Sequence, residues 1–312
     1  MNKPISSEEM AKLEDDINRC YHLVKSSPEE YFIFGFANKT DEEIKTYMTD
    51  QLILGYMTMK GQRKMADIEL ADKGNFYLLA SDYFKREVAV IKSKEDYTSF
   101  LKILQNQKKV IVKPSFSAYG TGIFMYEYTT EEDAKACFSE MMENGTDWVV
   151  EELIIQSDTM ASWNRSSVNT IRVNTYCYKG KVTVKIPFIR TGREGSFVDN
   201  GGQGGVFACI DPATGRIDTD GHDEMCNTYI VHPNSKQTYK GWQVPEWDDL
   251  LNLAKDVHTK VFPKHLYASW DFAHTDNGYV LIEGNWGQFI CQQLCYKKGL
   301  KESFLNGING RF

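Results

Sequence analysis

Asp271, Glu283 and Asn285 sit in ASWDFAHTDNGYVLIEGN, residues 268–285, a stretch that otherwise reads as a hydrophobic β-hairpin. Its two strand-like runs, ASWDFAH and YVLIEGN, flank Asp276-Asn277-Gly278, a strong turn signal. A three-residue loop from Asp276 to Gly278, with Gly278 at positive φ, places Asp271 opposite Glu283. Side-chain alternation then puts Asn285 on their face and leaves Trp270, Phe272, Val280 and Ile282 as an apolar face. A two-residue Asn-Gly turn would scatter the carboxylates over both faces, so the three-residue loop is expected. Two carboxylates and an amide oxygen on one face are hard ligands of the kind Mg²⁺ takes beside phosphate. Taken alone, the pattern also suits a hairpin with one wet face.

A second group of candidates lies in VIVKPSFSAYGTGIFMYEY. A strand ends at Lys113-Pro114, and the loop that follows holds Ser115, Ser117, Gly120, Thr121 and Gly122. Small residues let backbone N–H groups approach an anion closely, and a nearby lysine adds a point charge for phosphate. This is not a P-loop, because a strand follows the glycines and no Gly-Lys-Ser/Thr is present. A plain glycine-rich hairpin loop fits the same residues.

Further along, DWVVEELI ends a strand in Glu151 and Glu152. In NTIRVNTY, alternation places Arg172 and Asn174 opposite Ile171 and Val173, and a guanidinium fork suits a phosphate or acyl phosphate. IPFIRTGREGSFVDNGGQGG adds Arg190, Arg193, Asp199 and Asn200 beside a glycine cluster, at a strand end where binding residues tend to sit. No nucleophilic scheme competes: Gly-x-Ser-x-Gly, His-Glu-x-x-His and Cys-x-x-Cys are all missing. His222 and His232 fall in a loop and read as solvated turn residues.

The elements that must position these groups follow from pattern. At 312 residues the chain suits one large domain or two to three subdomains. The first seventy residues read helical, with capping boxes at Ser6/Glu9 and Thr40/Glu43 and a helix start at Ser27-Pro28. The second box precedes IKTYMTDQLILGYM. From about residue 75 short strands alternate with helices: EVAVI, a helix opening at Ser93, VIVKP, GIFMYEY, a helix from Thr129 to Asp133 onward, and DWVVEELI. The second half is richer in strand: NTIRVNTYCY, a Lys179-Gly180 turn, KVTVKIPFIR and GGVFACID, then a helix opened by Pro245. This is an α+β pattern, divided at 1–70, 71–148 and 149–312.

Composition bounds the partners. Net charge is −7, from 36 basic and 43 acidic residues, and no basic cluster with interleaved aromatics exists, so nucleic acid is not an expected partner. No apolar run reaches membrane-spanning length, and MNKPISSEEM lacks a signal-peptide core. Seven widely spaced cysteines read as reduced thiols of a cytoplasmic protein, with Cys291 and Cys295 sharing a helix face as core residues. Nothing in the sequence speaks to oligomeric state.

Taken in order, Lys73 in ADKGNFYLL, Lys113 with its glycine-rich loop, VVEELI, SVNTIRVNTY, IRTGREGSFVDNGGQGG and WDFAHTDNGYVLIEGN resemble the ATP-grasp proteins. The sequence is most similar to their sugar-transfer-associated group, whose members resemble carboxylate–amine ligases, and the resemblance spans about residues 65 to 300. It implies two α/β subdomains clamping a nucleotide, preceded by a helical segment. It further implies that Lys73 and Lys113 contact ATP phosphates beneath a flap from Ser115 to Gly122, which includes Ser117, Gly120 and Gly122. Glu151, Glu152, Leu153 and Ile154 become the adenine hinge and Asp158 a ribose contact. Asp271, Glu283 and Asn285 become Mg²⁺ ligands, and Arg172, with Lys113, stabilises the transferred phosphoryl group. Arg190, Arg193, Asp199 and Asn200 face the acceptor. The implied reaction joins a small-molecule carboxylate to an amine through an acyl phosphate, on a sugar acid or surface-polysaccharide precursor. Two alternatives share the fold: a kinase acting on a hydroxyl, and a nucleotide-binding scaffold without turnover.

Overall fold

Serine and threonine caps set the helical start of the chain. A computed structural model describes residues 6–117, 121–195, 204–287 and 289–311. Ser6 caps α1 (Ser7–Val24), Ser27 caps α2 (Pro28–Ile33) and Thr40 caps α3 (Asp41–Ile44), each in a reciprocal box with the glutamate three residues on. The run after Thr40 is not one helix. It stops at Ile44 and restarts at α4 (Asp50–Met59), where the Thr49 hydroxyl accepts from the Leu52 N–H, an alternative start of equal chemistry. After α5 (Arg63–Ala66) and a π turn, α6 (Lys73–Ala80) begins under an Asp72 cap.

A four-stranded antiparallel sheet follows, formed by β1 (Val88–Ile91), β2 (Lys109–Pro114), β3 (Phe124–Glu127) and β4 (Trp148–Glu152) in the order β1-β4-β2-β3. The helices α7 (Tyr97–Gln107) and α8 (Glu131–Glu143) set Phe100, Ile103, Leu104 and Phe138 against its Val110, Val112 and Val150.

Beyond the single-turn α9 (Asp158–Ala161) lies the second sheet. Its strands are β5 (Thr170–Tyr178), β6 (Lys181–Val184), β7 (Phe188–Thr191), β8 (Val206–Cys209), β9 (Gly221–His222), β10 (Thr228–Tyr229), β11 (Tyr267–Thr275) and β12 (Gly278–Asn285). They run in the order β10-β9-β8-β7-β5-β11-β12, with β6 paired to β5. KVTVKIPFIR is therefore two strands and not one. Pro187 has no N–H to give a ladder, and Ile186 takes φ 50, so β6 pairs with the second half of β5 and β7 with the first. The chain ends in α10 (Trp247–Asp256), which precedes β11, and α11 (Ile290–Tyr296) and α12 (Lys301–Ile308), which follow β12. Among the described residues no helix is long and apolar enough to cross a membrane.

Alternation divides the large sheet into two faces. Ile171, Val173, Ile189, Ala208, Trp270, Phe272 and Leu281 enter the main core with Leu250 and Ala254 of α10 and Phe76 of α6. On the opposite face, Phe188, Phe207 and Cys209 meet Phe34, Phe36 and Tyr47 of the N-terminal segment and Leu294 and Cys295 of α11. The segment is also pinned by polar contacts. The Gln293 carboxamide bonds to both backbone groups of Met48, at 2.8 and 2.9 Å.

The β11–β12 hairpin departs from its expected loop yet keeps the expected pair. Thr275 pairs with Gly278, φ 85, so only Asp276 and Asn277 connect the strands. A bulge between Asp271 and Phe272 then shifts the register by one residue and restores Asp271 opposite Glu283. Alternation resets at the bulge. Tyr279 and Leu281 take the core positions expected for Val280 and Ile282, and Ile282 turns into the cleft described next.

Candidate functional site

Cross-strand pairing gathers the polar residues of the large sheet into two adjacent rows. Arg172 faces Asp271, which faces Glu283; beside them Asn174 faces Ser269, which faces Asn285. Arg190 of β7 pairs with Thr170, two residues before Arg172, and so shares their face.

Asp271 is fully buried and clasped from two sides. Arg172 donates from Nε and Nη2 to its two oxygens at 2.6 Å each, and Arg190 Nη2 donates at 2.9 Å. Burial alone would raise the carboxyl pKa, but the two guanidinium groups outweigh it and hold Asp271 at about 2. Burial likewise disfavours charge on Arg172, and Asp271 more than restores it. Arg190 Nε also donates to the Thr170 hydroxyl at 2.9 Å, which fixes its fork. Glu283 lies 4.0 Å from Arg172 and keeps 26% of its side chain exposed, facing the cleft.

The donor chemistry of this corner fits a hard divalent cation. The Asn285 carboxamide lies 3.2 Å from a Glu283 oxygen and 3.4 Å from an Asp271 oxygen, so three oxygen-bearing groups converge. Here the amide presents its nitrogen to both carboxylates; holding a cation requires it to present its oxygen. Asp271 shares its oxygens with two arginines, which leaves Glu283 as the more available carboxylate. Among the described residues no three His, Cys, Asp or Glu side chains gather around a common point that would hold a metal. A cation here therefore relies on the amide and on ligands from a bound phosphate.

Two lysines face this corner, Lys113 from the small sheet and Lys73 from α6. Lys113 is buried at the end of β2 and forms a 2.5 Å pair with Glu151, whose other oxygen takes Arg86 at 2.6 Å. Burial would raise the Glu151 pKa, yet Lys113 and Arg86 keep it below the usual carboxylate range. Arg86 also donates to the Leu281 carbonyl of β12 at 2.6 Å, so one guanidinium ties the two sheets together. Lys73 opens α6 and donates to the Ser117 carbonyl at 2.6 Å and more weakly to its hydroxyl. Burial lowers the Lys73 pKa and the Lys113 charge adds to this, against Glu283. Asp72 completes the arrangement: it caps α6 and accepts at 2.6 Å from Ser115, whose oxygen in turn receives the Gly74 N–H. The stem of the glycine-rich loop is thus tied to the helix that carries Lys73.

Between the sheets lies a cleft of about 920 Å³, lined by Lys73, Lys113, Ser117, Arg172, Arg190, Glu283 and Asn285. Glu151, Glu152, Leu153 and Ile154 line it as well, with Ile111, Met125 and Ile282 supplying apolar walls. A cleft of this size, lined by both apolar and cationic side chains, suits a nucleotide. The Glu152 carboxylate, though part of this lining, is occupied by the Glu87 N–H at 2.8 Å. Not every expected residue joins the cleft. Asp158 is exposed and pairs with Arg165 at 3.0 Å, and the cleft lining does not include it. Arg193 turns away to Asp223 at 3.1 Å and to the Tyr229 hydroxyl at 2.7 Å. Gly122 sits in the loop at φ 75, packed on Pro114 so closely that a Cβ would approach to 2.8 Å. Gly120, Asp199 and Asn200 lie outside the described residues.

Other residues escaped the sequence reading. Arg86 sits outside any motif, and only its pairing with Glu151 reveals a role. Asn169 is buried and joins the Gln156 side chain to the carbonyls of Met160 and Asn164 and to the Gly192 N–H, which shapes the loop lining the cleft beyond β4. Its signal was visible, since it stands three residues before Arg172. His222 and His232 are buried, not solvated. His232 Nε2 meets the Gly192 carbonyl at 2.9 Å, inside a ring cluster with Trp163 and Tyr239.

Gly284 separates Glu283 from Asn285 for a packing reason. A Cβ there would lie 2.5 Å from the Phe76 ring of α6, the helix that begins with Lys73. Gly284→Ala is expected to destabilise the fold by about 1–3 kcal/mol, measured as a lowered urea midpoint at constant slope. An unchanged midpoint would mean that Phe76 yields without strain.

The sequence matches the sugar-transfer associated ATP-grasp family over residues 68–309. The chain belongs to that family. No protein of curated function matches it in sequence. Among solved structures, this ATP-grasp protein is similar to phosphoribosylamine–glycine ligase from Thermotoga maritima, with a TM-score of 0.51 and 11% identity over 79% of this chain and 56% of that one. It is also similar to the D-Ala:D-Ser ligase VanG from Enterococcus faecalis, with a TM-score of 0.50 and 13% identity over 81% of this chain and 68% of that one. Likeness at this level of identity establishes the fold, which is the ATP-grasp fold with a helical N-terminal segment.

Proposed function

We propose that this ATP-grasp protein is an ATP- and Mg²⁺-dependent carboxylate–amine ligase that works through an acyl phosphate and releases ADP. One observation carries the reading. Lys73 and Lys113 from one side and Arg172, Arg190, Glu283 and Asn285 from the other converge on a single cleft. A carboxylate is a poor electrophile at neutral pH, so its activation calls for phosphoryl transfer under concentrated positive charge. The lysines would hold the nucleotide phosphates, and Ile111, Met125 and Ile282 would pack the base beside Leu153 and Ile154. Mg²⁺, held by Glu283, Asn285 and Asp271, would neutralise charge on the phosphates. Arg172 and Arg190, fixed by Asp271 before any ligand arrives, would meet the acyl phosphate with no reorganisation. Both similar structures described above are of ligases, which agrees with this chemistry. We take the acceptor carboxylate to be a sugar acid or a related surface-polysaccharide precursor, in keeping with the family description, and the protein to act in the cytoplasm.

Hydroxylamine trapping tests the intermediate. With ATP, Mg²⁺ and a panel of sugar acids and amino acids, a true substrate is expected to give hydroxamate and ADP in equal amounts. ADP release with a stable phosphate ester and no hydroxamate would replace the ligase with a kinase.

A further inference from the structure

Three charged side chains of the small sheet form a buried cluster in which one cation reaches the cleft and the other does not. Glu151 of β4 pairs with Val88 of β1 on one side and with Ile111 of β2 on the other. Arg86 stands two residues before Val88 and Lys113 two after Ile111, so alternation puts all three on one face. Arg86 donates to one Glu151 oxygen from Nε at 3.2 Å and from Nη2 at 2.6 Å, and Lys113 Nζ lies 2.5 Å from the other oxygen. No side chain of the three is more than 7% exposed. Among the described residues no second carboxylate pairs with either cation. Glu87, the neighbour of Arg86, turns to Asn106 and Gln107 at 2.9–3.2 Å. Two cations therefore share one anion, and the cluster keeps one positive charge. Arg86 is not placed to carry that charge to a ligand. Its Nη1 is fixed on the Leu281 carbonyl at 2.6 Å and the Phe84 carbonyl at 3.3 Å, and its guanidinium carbon sits 4.5 Å from the centre of the Phe84 ring. Lys113 and Glu151 line the cleft, and Arg86 is outside that lining.

We propose that Arg86 is a positioning residue for nucleotide binding, balancing the charge of Glu151 so that Lys113 has its own charge to give to a phosphate. The inference rests on the ATP reading above and adds a residue that lies outside the motifs behind it. Before a ligand arrives, Glu151 satisfies both cations. When a phosphate oxygen enters beside Lys113, the ammonium turns to it, and Arg86 remains on Glu151. The buried carboxylate is then never left without a cation, a loss that is costly in a desolvated site. With Arg86 removed, Lys113 becomes the sole counter-ion of Glu151. Giving the ammonium to the ligand would then strand a buried carboxylate, so Lys113 stays where it is and the phosphate gains little. The bond from Arg86 to the Leu281 carbonyl is a separate effect, a tether between the sheets, and a charge role and a tether role predict different variants to recover.

Calorimetric titration of the full chain with ADP and with adenosine, each with Mg²⁺, reads the charge directly, because adenosine offers the base without the phosphates. Arg86→Met should raise the ADP dissociation constant at least roughly tenfold, the scale of a charge-assisted hydrogen bond, and leave that of adenosine within about twofold. Arg86→Lys keeps a cation for Glu151 but lacks the fork that also reaches Leu281, and should bind ADP within about threefold of wild type. The double variant Arg86→Met/Glu151→Gln removes both charges and leaves Lys113 uncompensated, so it too should return to within about threefold. Equal losses for ADP and adenosine in Arg86→Met would overturn the proposal and leave Arg86 as a tether. So would an unchanged ADP affinity in that variant, or a failure of the lysine and double variants to bind ADP near the wild-type level. Those two variants decide the matter should Arg86→Met not fold. Wild type that binds neither ADP nor ATP would sink the nucleotide reading and this inference with it, whereas wild type that binds ADP alongside any of the other failures would sink the Arg86 inference alone.

Discussion

Glu283→Gln is expected to reduce Mg²⁺-dependent ATP turnover by on the order of 10²-fold or more, since losing one anionic ligand removes several kcal/mol of charge stabilisation. The fold should survive. Glu283 is partly exposed, and the Arg172 guanidinium 4.0 Å away is already held by Asp271. Two readouts separate the effects. Without ligand, the thermal midpoints of wild type and variant should agree within about 2 °C, as expected for a partly exposed side chain. With ATP and Mg²⁺ at about 100 times the dissociation constant, wild type should gain roughly 2.7 kcal/mol and the variant much less. Equal turnover in the two proteins would remove Glu283 from the metal site.

Asp271→Asn is expected to act first on stability. The carboxylate is fully buried between Arg172 and Arg190, and its loss removes the anion shared by the buried Arg172 and the partly buried Arg190. Breaking a buried pair from one side costs about 3–5 kcal/mol, much more than the value of the intact pair. Urea denaturation at pH 7 should read that difference. It should also depend on pH in a definite direction. The folded-state pKa of about 2 lies below the ordinary carboxylate value, so the unfolded chain takes up the proton first. The contribution of Asp271 is therefore complete above about pH 5 and is lost as the pH falls toward 2, where wild type and variant converge. A constant gap across that range would mean that the arginines are stabilised by something other than the Asp271 charge. Loss of turnover in this variant reports on the clamp and the metal together, which makes Glu283 the cleaner probe of the metal.

The two carboxylates also illustrate how far local pattern reaches. The Asp271–Glu283 pair was legible because a period of two makes residues opposite each other share a face. The turn was misjudged by one residue, and a bulge that no propensity marks corrected the register downstream. The error moved Ile282 from the core to the cleft wall but left the chemistry in place. Lys113 was legible as a cation at a strand end, yet its 2.5 Å pair with Glu151 comes from a strand almost forty residues later. Arg193 carried the same type of signal as Arg190 and went elsewhere, because Asp223 and Tyr229 wait on its side of the fold.

By itself the sequence determined the capped helices, most strands of both sheets, the ordered set of motifs and the face on which Asp271, Glu283, Asn285 and Arg172 stand. These depend on interactions over a few residues: caps, alternation and turn glycines. Tertiary structure alone decided that Arg86 joins the sheets, that Asp271 is clasped by two arginines, and that the N-terminal segment and α11 cover the sheet beside the cleft. Each of those contacts joins side chains from separate elements, and what selects them is the burial of charge and apolar surface in the assembled fold, which leaves no periodic mark on the chain.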